Sequence, residues 1–260
     1  MATLRIPDTP PFPYLSKKST PLTLDKTLIH IFSQVDKKVW LVGGTALAGF
    51  YAEHRKSDDL DLFVGDLISY QTTLRAVQSL KSKGAIFSSE SSSSNYYHSL
   101  VQFLNHQFTI DIVLDEQLHR IGLGVKTKDS IWVADINTLL ATKIGTLVSR
   151  CSEKDLFDLD WLLTRVPEYK IKDLIETGAQ IDAGLNAETL LISLQGATLR
   201  KEACHFLLAE SKITIDQAYK KIETLRKTLI QKLLDHEKKS LLSEKSLAIK
   251  QTLSDFKKIK

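Results

Sequence analysis

Two short segments limit what this chain can fold into: Leu41-Val-Gly-Gly-Thr-Ala-Leu47 and, ten residues further on, Ser57-Asp-Asp-Leu-Asp-Leu-Phe63. Val39 to Val42 is an apolar run rich in β-branched and aromatic residues and bounded by glycine, which predicts a buried strand. Gly43 and Gly44 end it. The residues from Thr45 to Glu53 then predict a helix, with Leu47, Phe50 and Tyr51 at i, i+3, i+4 spacing. In Asp59 to Phe63 polarity alternates, so a period of two places Asp59 and Asp61 on one face of a strand and Leu60 and Leu62 on the other. On a helix the same two carboxylates would point about 200° apart. Aspartate is depleted in strands, and two of them beside Leu60, Leu62, Phe63 and Val64 need a physical reason.

The chemistry open to such a pair of segments is narrow. Glycine lets the backbone turn sharply and approach a ligand with no Cβ in the way. The amides of a helix start lack intrahelical partners, and the helix dipole favours an anion there. Gly43, Gly44 and the Thr45 hydroxyl are therefore candidate phosphate contacts, although Gly-Gly between a strand and a helix also serves as a simple tight turn. Unpaired, Asp59 and Asp61 would repel each other and resist burial. A hard divalent cation, Mg²⁺ or Mn²⁺, removes that cost; a solvated strand face is the alternative. A third acid bears on the choice. Ser99–Leu104 and Gln107–Leu114, joined by Asn105-His106, predict a hairpin. In its second arm Phe108, Ile110, Ile112 and Leu114 share one face, and Thr109, Asp111 and Val113 share the other. Asp111 is thus an acid in mid-strand among apolar residues. It either pairs with a core Arg or Lys or, with Asp59 and Asp61, completes a shared metal cluster, which is the stronger reading.

Cationic groups follow. Asp135 is a candidate N-cap for a helix running to about Arg150. Ile136, Leu139, Leu140 and Leu147 form its apolar stripe, with Lys143 in the middle and Arg150 two turns further on. A lysine there either meets an anion or snorkels out of the core. Ser152-Glu-Lys-Asp155 has capping-box spacing, so Asp155 reads as a helix start. Asp158, one turn from Trp161 and Leu162 on a face predicted to be buried, is placed to orient Lys143 or Arg150.

Taken together, these motifs resemble the nucleotidyltransferase superfamily that includes polymerase β, whose signature is a Gly-Ser or Gly-Gly turn, a helix, then Asp-x-Asp on a strand. The resemblance is closer to the AbiEii/AbiGii-type toxin branch. It runs through Gly43-Gly-Thr-Ala-Leu47, the element formed by Arg55, Ser57, Asp59 and Asp61, and a later one formed by Lys143, Arg150, Lys154, Asp155, Asp158 and Leu159. Lys154 stands where the branch commonly has arginine, which keeps the charge and loses the bidentate fork. The resemblance spans residues 39–165. It implies an α/β fold, with a nucleotidyltransferase-type mixed β-sheet N-terminal domain followed by a mainly helical C-terminal domain. The implied activity is Mg²⁺-dependent transfer of a nucleoside monophosphate from an NTP to an acceptor hydroxyl. Asp59, Asp61 and Asp111 would serve metal and catalysis, and Gly43, Gly44, Thr45, Arg55, Ser57, Lys143 and Asp158 the nucleotide. Toxin relatives imply a tRNA end or other RNA as acceptor and a separately encoded antitoxin, while a protein hydroxyl or an aminoglycoside-like molecule fits the same chemistry. Two rivals stand beside this: a nucleotide-binding regulatory module without turnover, and a phosphotransferase moving the γ-phosphate. The former would be marked by a missing carboxylate, and none of the three is missing.

At 260 residues, 43% hydrophobic and 25% charged, the chain can bury one large or two modest cores. Five of six prolines lie in the first 21 residues, predicting an extended arm over 1–21 that drapes over the body or stays mobile. Strand signals stop after residue 150, which divides the rest into a catalytic domain over 22–150 and a helical domain over 151–260. Within the former, Leu22–Lys37 and Ser69–Lys83 predict helices, and the serine-rich Ser88–Asn95 predicts a surface loop able to close over the site. Cys151 and Cys204 form neither a disulfide framework nor a zinc site. With no apolar run approaching a membrane span and no signal-peptide core, they read as reduced thiols of a cytoplasmic protein. From Ser211 onward 13 Lys and Arg face 6 Asp and Glu, an excess of +7, so against a total of +4 the first 210 residues carry −3. The apolar stripe Ile215, Ala218, Ile222, Leu225, Leu229, Leu233 makes this either a solvated amphipathic helix or a phosphate-backbone footprint for RNA.

Overall fold

The computed structural model describes residues 3–258, with side chains through 239. Its strands are β1 (Val39–Val42), β2 (Leu60–Val64), β3 (Ile86–Ser92), β4 (Tyr96–Phe103), β5 (His106–Leu114), β6 (Gly124–Lys126) and β7 (Trp132–Ala134). They form one mixed sheet in the order β3-β4-β5-β2-β1-β7-β6. β2 lies at its centre, antiparallel to β1 and parallel to β5. All four residues of β1 are buried, as its continuous apolar run requires. β2 alternates, with Leu60, Leu62 and Val64 buried and Asp61 and Phe63 partly exposed. The period-two expectation for β5 also holds, with Phe108, Ile110 and Ile112 in the core.

Most of the serine-rich stretch is strand, and only Ser93, Ser94 and Asn95 form a turn. Residues 86–92 pair with β4 as the edge strand β3, with a bulge between Ser88 and Ser91. An edge strand needs one neighbour and no buried face, so exposed serines satisfy it. Two strands separate β3 from β2, so this segment does not cover the Asp-x-Asp strand. The hairpin turn also falls one residue earlier than expected, at Leu104-Asn105, where both residues have positive φ (47° and 62°), the backbone of a tight two-residue hairpin loop.

α1 (Leu22–Phe32) ends five residues short of the expected Lys37. α2 (Gly43–Leu47) continues as a π-helical turn through Ala52, and Glu53 closes it in the left-handed region. α3 (Leu67–Gln78) is capped by Asp66 and runs into a 3₁₀ turn to Lys83, and α4 (Glu116–Ile121) follows β5. α5 (Ile136–Ser149) is capped by Asp135 as its sequence indicates. Then come α6 (Glu153–Leu163), α7 (Ile171–Ala179), α8 (Ala187–Gly196) and α9 (Ile215–Lys258). α5 packs against α2, α6, α7 and α8, and one hydrophobic cluster runs from Leu4 to Leu233. In α9 the predicted stripe packs inward, with Ala218, Ile222, Leu225, Leu229 and Leu233 buried and Ile215 half-buried against the core. The basic side chains beyond 239 lie outside the described residues. The proline-rich arm drapes over the body. Leu4, Ile6 and Leu15 are buried, Leu15 fits against Gly49, and the Phe12 and Ser16 amides donate to the carbonyls of Phe50 and Gly49.

Candidate active site

The sheet brings the three aspartates to one polar face. Asp61 on β2 is the direct cross-strand partner of Asp111 on β5 and of Val42 on β1. Asp59, just ahead of β2, accepts a 2.7 Å hydrogen bond from the Thr109 hydroxyl. One oxygen of Asp111, Oδ1, accepts from Tyr96 Oη at 2.5 Å and sits 2.9 Å from His98 Nδ1. Burial, and then the charge of Asp111, push the Asp61 carboxyl up to about 6. Gly43 has φ +69°, and a Cβ there would lie 1.8 Å from Asp61 Oδ2. The turn therefore needs glycine for backbone conformation and for space alike. At Gly44 a Cβ would meet Arg55 Nη2 at 2.5 Å and Ser57 Oγ at 3.0 Å.

Behind this face lies a buried ion network. Asp158, fully buried, accepts from Arg55 Nε (2.6 Å) and Nη2 (2.7 Å) and pairs with Lys143 Nζ at 2.7 Å. His54 Nε2 lies 2.8 Å from the same carboxylate. Burial opposes ionisation of Asp158, but the Arg55 guanidinium and the Lys143 ammonium outweigh it and hold the carboxyl well below the usual range. Burial also lowers the pKa of His54, against the pull of Asp158. A neutral imidazole then donates through Nε2, and Nδ1 is left buried without a hydrogen-bond partner. Lys143 also reaches Asp155 Oδ1 at 3.2 Å, and Arg150 reaches Asp155 Oδ2 at 3.3 Å.

Several sequence expectations change here. Asp155 does start α6, its amide bonded to Ser152 Oγ, but its carboxylate is also a member of the network. Asp158 lies below the surface, where its oxygens meet Arg55, Lys143 and His54, and it borders neither of the cavities beside the aspartates. Thr45 does not open at the mouth of the turn. It is fully buried, and its hydroxyl donates to the Asp59 carbonyl at 2.5 Å and toward Ser57 Oγ at 3.0 Å, bracing the loop that carries Asp59. Arg55 is held by Asp158 and by the Lys56 carbonyl. Lys143 does not snorkel, being 3% exposed and paired.

Two cavities flank Asp61, Asp111, Lys143 and Arg150. One, of 210 Å³, is bounded also by Gly44, Ser57, Asp59 and Lys154, so the lysine that replaces the branch's arginine reaches the site. The other, of 270 Å³, has Phe63, Tyr96 and Val113 for walls. Among the described residues no three carboxylate, histidine or cysteine groups converge closely enough to hold a metal ion. Asp59 is drawn to Thr109 and Asp111 to Tyr96 and His98. The donor set nonetheless fits a hard divalent cation: all-oxygen ligands from adjacent strands, where an opposing charge would relieve both the burial of the Asp61 carboxylate and its repulsion from Asp111.

Thr109, Tyr96, His98 and His54 were missed in the sequence. Thr109 meets Asp59 through the pairing of β2 with β5, and Tyr96 and His98 follow from the register of β4 on β5: with the turn at Leu104-Asn105, Asp111 faces His98, whereas a turn at Asn105-His106 would have set it against Leu100. His54 carried no local signal, since its partner lies 104 residues away.

A family model described as nucleotidyl transferase AbiEii toxin, type IV TA system, matches residues 27–244. No curated protein matches the chain in sequence. Among solved structures, MenT4, the nucleotidyltransferase toxin Rv2826c from Mycobacterium tuberculosis H37Rv, shares 15% identity over 82% of each chain with a TM-score of 0.52. JHP933 from Helicobacter pylori shares 16% identity over 85% of this chain and 94% of its own, with a TM-score of 0.48. The MenT4 likeness establishes a common fold. With the family match over more than four-fifths of its length, the chain belongs to the AbiEii nucleotidyl transferase toxins of type IV toxin–antitoxin systems.

Proposed function

We propose that the protein transfers a nucleoside monophosphate from an NTP to an acceptor hydroxyl, with RNA, a tRNA end foremost, as the acceptor. The observation that carries this is the cross-strand pairing of Asp61 with Asp111, beside Asp59 and against the Gly43-Gly44 turn. Asp59, Asp61 and Asp111 would hold divalent metal, Mg²⁺ or Mn²⁺, which supplies positive charge to the triphosphate and to the attacking and leaving oxygens. The chain's own groups do the rest. Backbone at Gly43 and Gly44 admits the triphosphate without a Cβ in its path; Gly44 and Ser57 line the cavity that holds Asp59, and Gly43 borders the one walled by Phe63 and Tyr96. Of the three ammonium donors of Lys143, two meet Asp155 and Asp158, and the third serves a phosphate oxygen. Arg150 and Lys154 add charge at the rim. With Asp111 Oδ1 occupied by Tyr96 and His98, Oδ2 is the atom that accepts the proton of the attacking hydroxyl. Pyrophosphate leaves on the side of Lys143 and Lys154. A separately encoded antitoxin fits the family's type IV systems.

Protein incubated with RNA, divalent metal and NTP labelled on either the α- or the γ-phosphate tests this. Label from the α position should appear in RNA. Transfer of γ label instead would make the protein a phosphotransferase, and transfer of neither would leave a binding module.

A further inference from the structure

Away from the catalytic face, a groove of 410 Å³ lies between the segment leading into α7 and the middle of α9. Tyr169 and Ile171 line it, along with Lys170, Lys172, Lys232 and Lys239. Its one carboxylate, Asp235, already accepts from Gln231. Four lysines against one aspartate concentrate in one groove an excess comparable to the +4 of the whole chain. Lys170, Lys232 and Lys239 have no carboxylate partner within salt-bridge distance among the described residues, and only Lys172 has one, Glu176 at 3.7 Å. Lys232 Nζ lies 3.7 Å from the centre of the Tyr169 ring, so the phenol holds one cation in place without neutralising it.

We infer that this groove docks the phosphodiester backbone of RNA at a distance from the reacting end, an inference that rests on the proposal that the acceptor is RNA. Lysine suits such a ligand, because a point charge on a flexible stem meets phosphates without demanding one geometry. Position supports it too. Lys154, in the first turn of α6, borders the catalytic cavity, and the groove begins six residues past the other end of that helix. Eleven residues of helix span roughly 16 Å. The groove would therefore meet phosphates several nucleotides from the acceptor hydroxyl.

Full-length protein carrying Asp61→Ala, in chelator, can be titrated with a labelled single-stranded RNA long enough to reach from cavity to groove, over a range of salt concentrations. Reversing Lys170, Lys232 and Lys239 to glutamate together should weaken binding roughly tenfold or more at low salt. It should also flatten the slope of log affinity against log salt by about 2, three contacts at ~0.7 each. Reversing Lys26, Lys37 and Lys83 instead changes net charge equally and should leave the slope in place. Equal effects from the two triple variants, no effect from the groove variant, or tighter binding of polyglutamate than of RNA would each overturn the inference, the last in favour of an acidic protein partner. Because binding is read without turnover, these outcomes are independent of which label moves. A protein that binds RNA through the groove yet labels another acceptor would fail the acceptor proposal alone.

Discussion

Replacing Asp61 by asparagine should stabilise the protein at neutral pH in the absence of metal, although it removes a group proposed to be essential. The Asp61 carboxyl is pushed from 3.8 up to about 6, first by burial and then by Asp111. Folding thus imposes a cost on the ionised form. Two units at 1.36 kcal/mol each come to about 3 kcal/mol once both folded and unfolded chains are ionised. The cost is fully present above about pH 6, shrinks as pH falls toward 4, and vanishes below, where Asp61 is protonated in both states. Asparagine keeps the volume and sheds the charge. At roughly 2 °C per kcal/mol for a chain of this size, Asp61→Asn should melt ~6 °C higher than wild type at pH 7 in chelator, with the gap closing toward pH 4. Divalent metal should then raise the wild-type Tm and move the variant little, because a ligand stabilises only the state that binds it. Melting curves from pH 4 to 8, with and without Mg²⁺, read all of this. A variant that melts lower than wild type by the same margin at every pH would refute the reasoning and show Asp61 to be a structural hydrogen-bond partner.

Asp158→Asn should behave in the opposite way, since it strands the buried cations Arg55 and Lys143; a loss of about 3–5 kcal/mol is expected, read by denaturant unfolding, and a change under 1 kcal/mol would mean the network is not formed. The Asp158 carboxyl is held low, so its contribution is complete above about pH 4 and is lost only as pH falls below that; the Asn variant should lack this acid-sensitive component of the Tm curve. Lys143→Met should lower affinity for a non-hydrolysable NTP by about 1.5–3 kcal/mol. It should also lower the Tm, because the ammonium is paired with Asp155 and Asp158, and unchanged affinity in a titration would remove the phosphate role. Gly43→Ala should abolish α-label transfer and destabilise the fold, its methyl set against Asp61 Oδ2 on a backbone at φ +69°; a folded, fully active variant would contradict the packing of that turn.

The sequence alone determined whatever depends on near neighbours along the chain. Alternation in Leu60–Val64 and Phe108–Ile112 assigned their faces, because a strand's side-chain period is two whatever surrounds it. Asp135 and Ser152 marked helix starts, because a cap is satisfied within three residues. Glycine at 43 and 44 marked the turn. What the sequence left undecided is set by groups distant along the chain. A one-residue difference in the Leu104-Asn105 turn decides that His98, rather than Leu100, faces Asp111. Sheet order makes a serine-rich stretch an edge strand, since one neighbour's hydrogen bonds are enough to hold it. Thr45 and Asp158 face inward, where the Asp59 carbonyl in one case, and Arg55, Lys143 and His54 in the other, meet them. Each needs a partner because a polar group under the surface is costly until paired, and for Asp158 that partner comes from about a hundred residues away, brought near only when the core of α5 and α6 closes on the sheet.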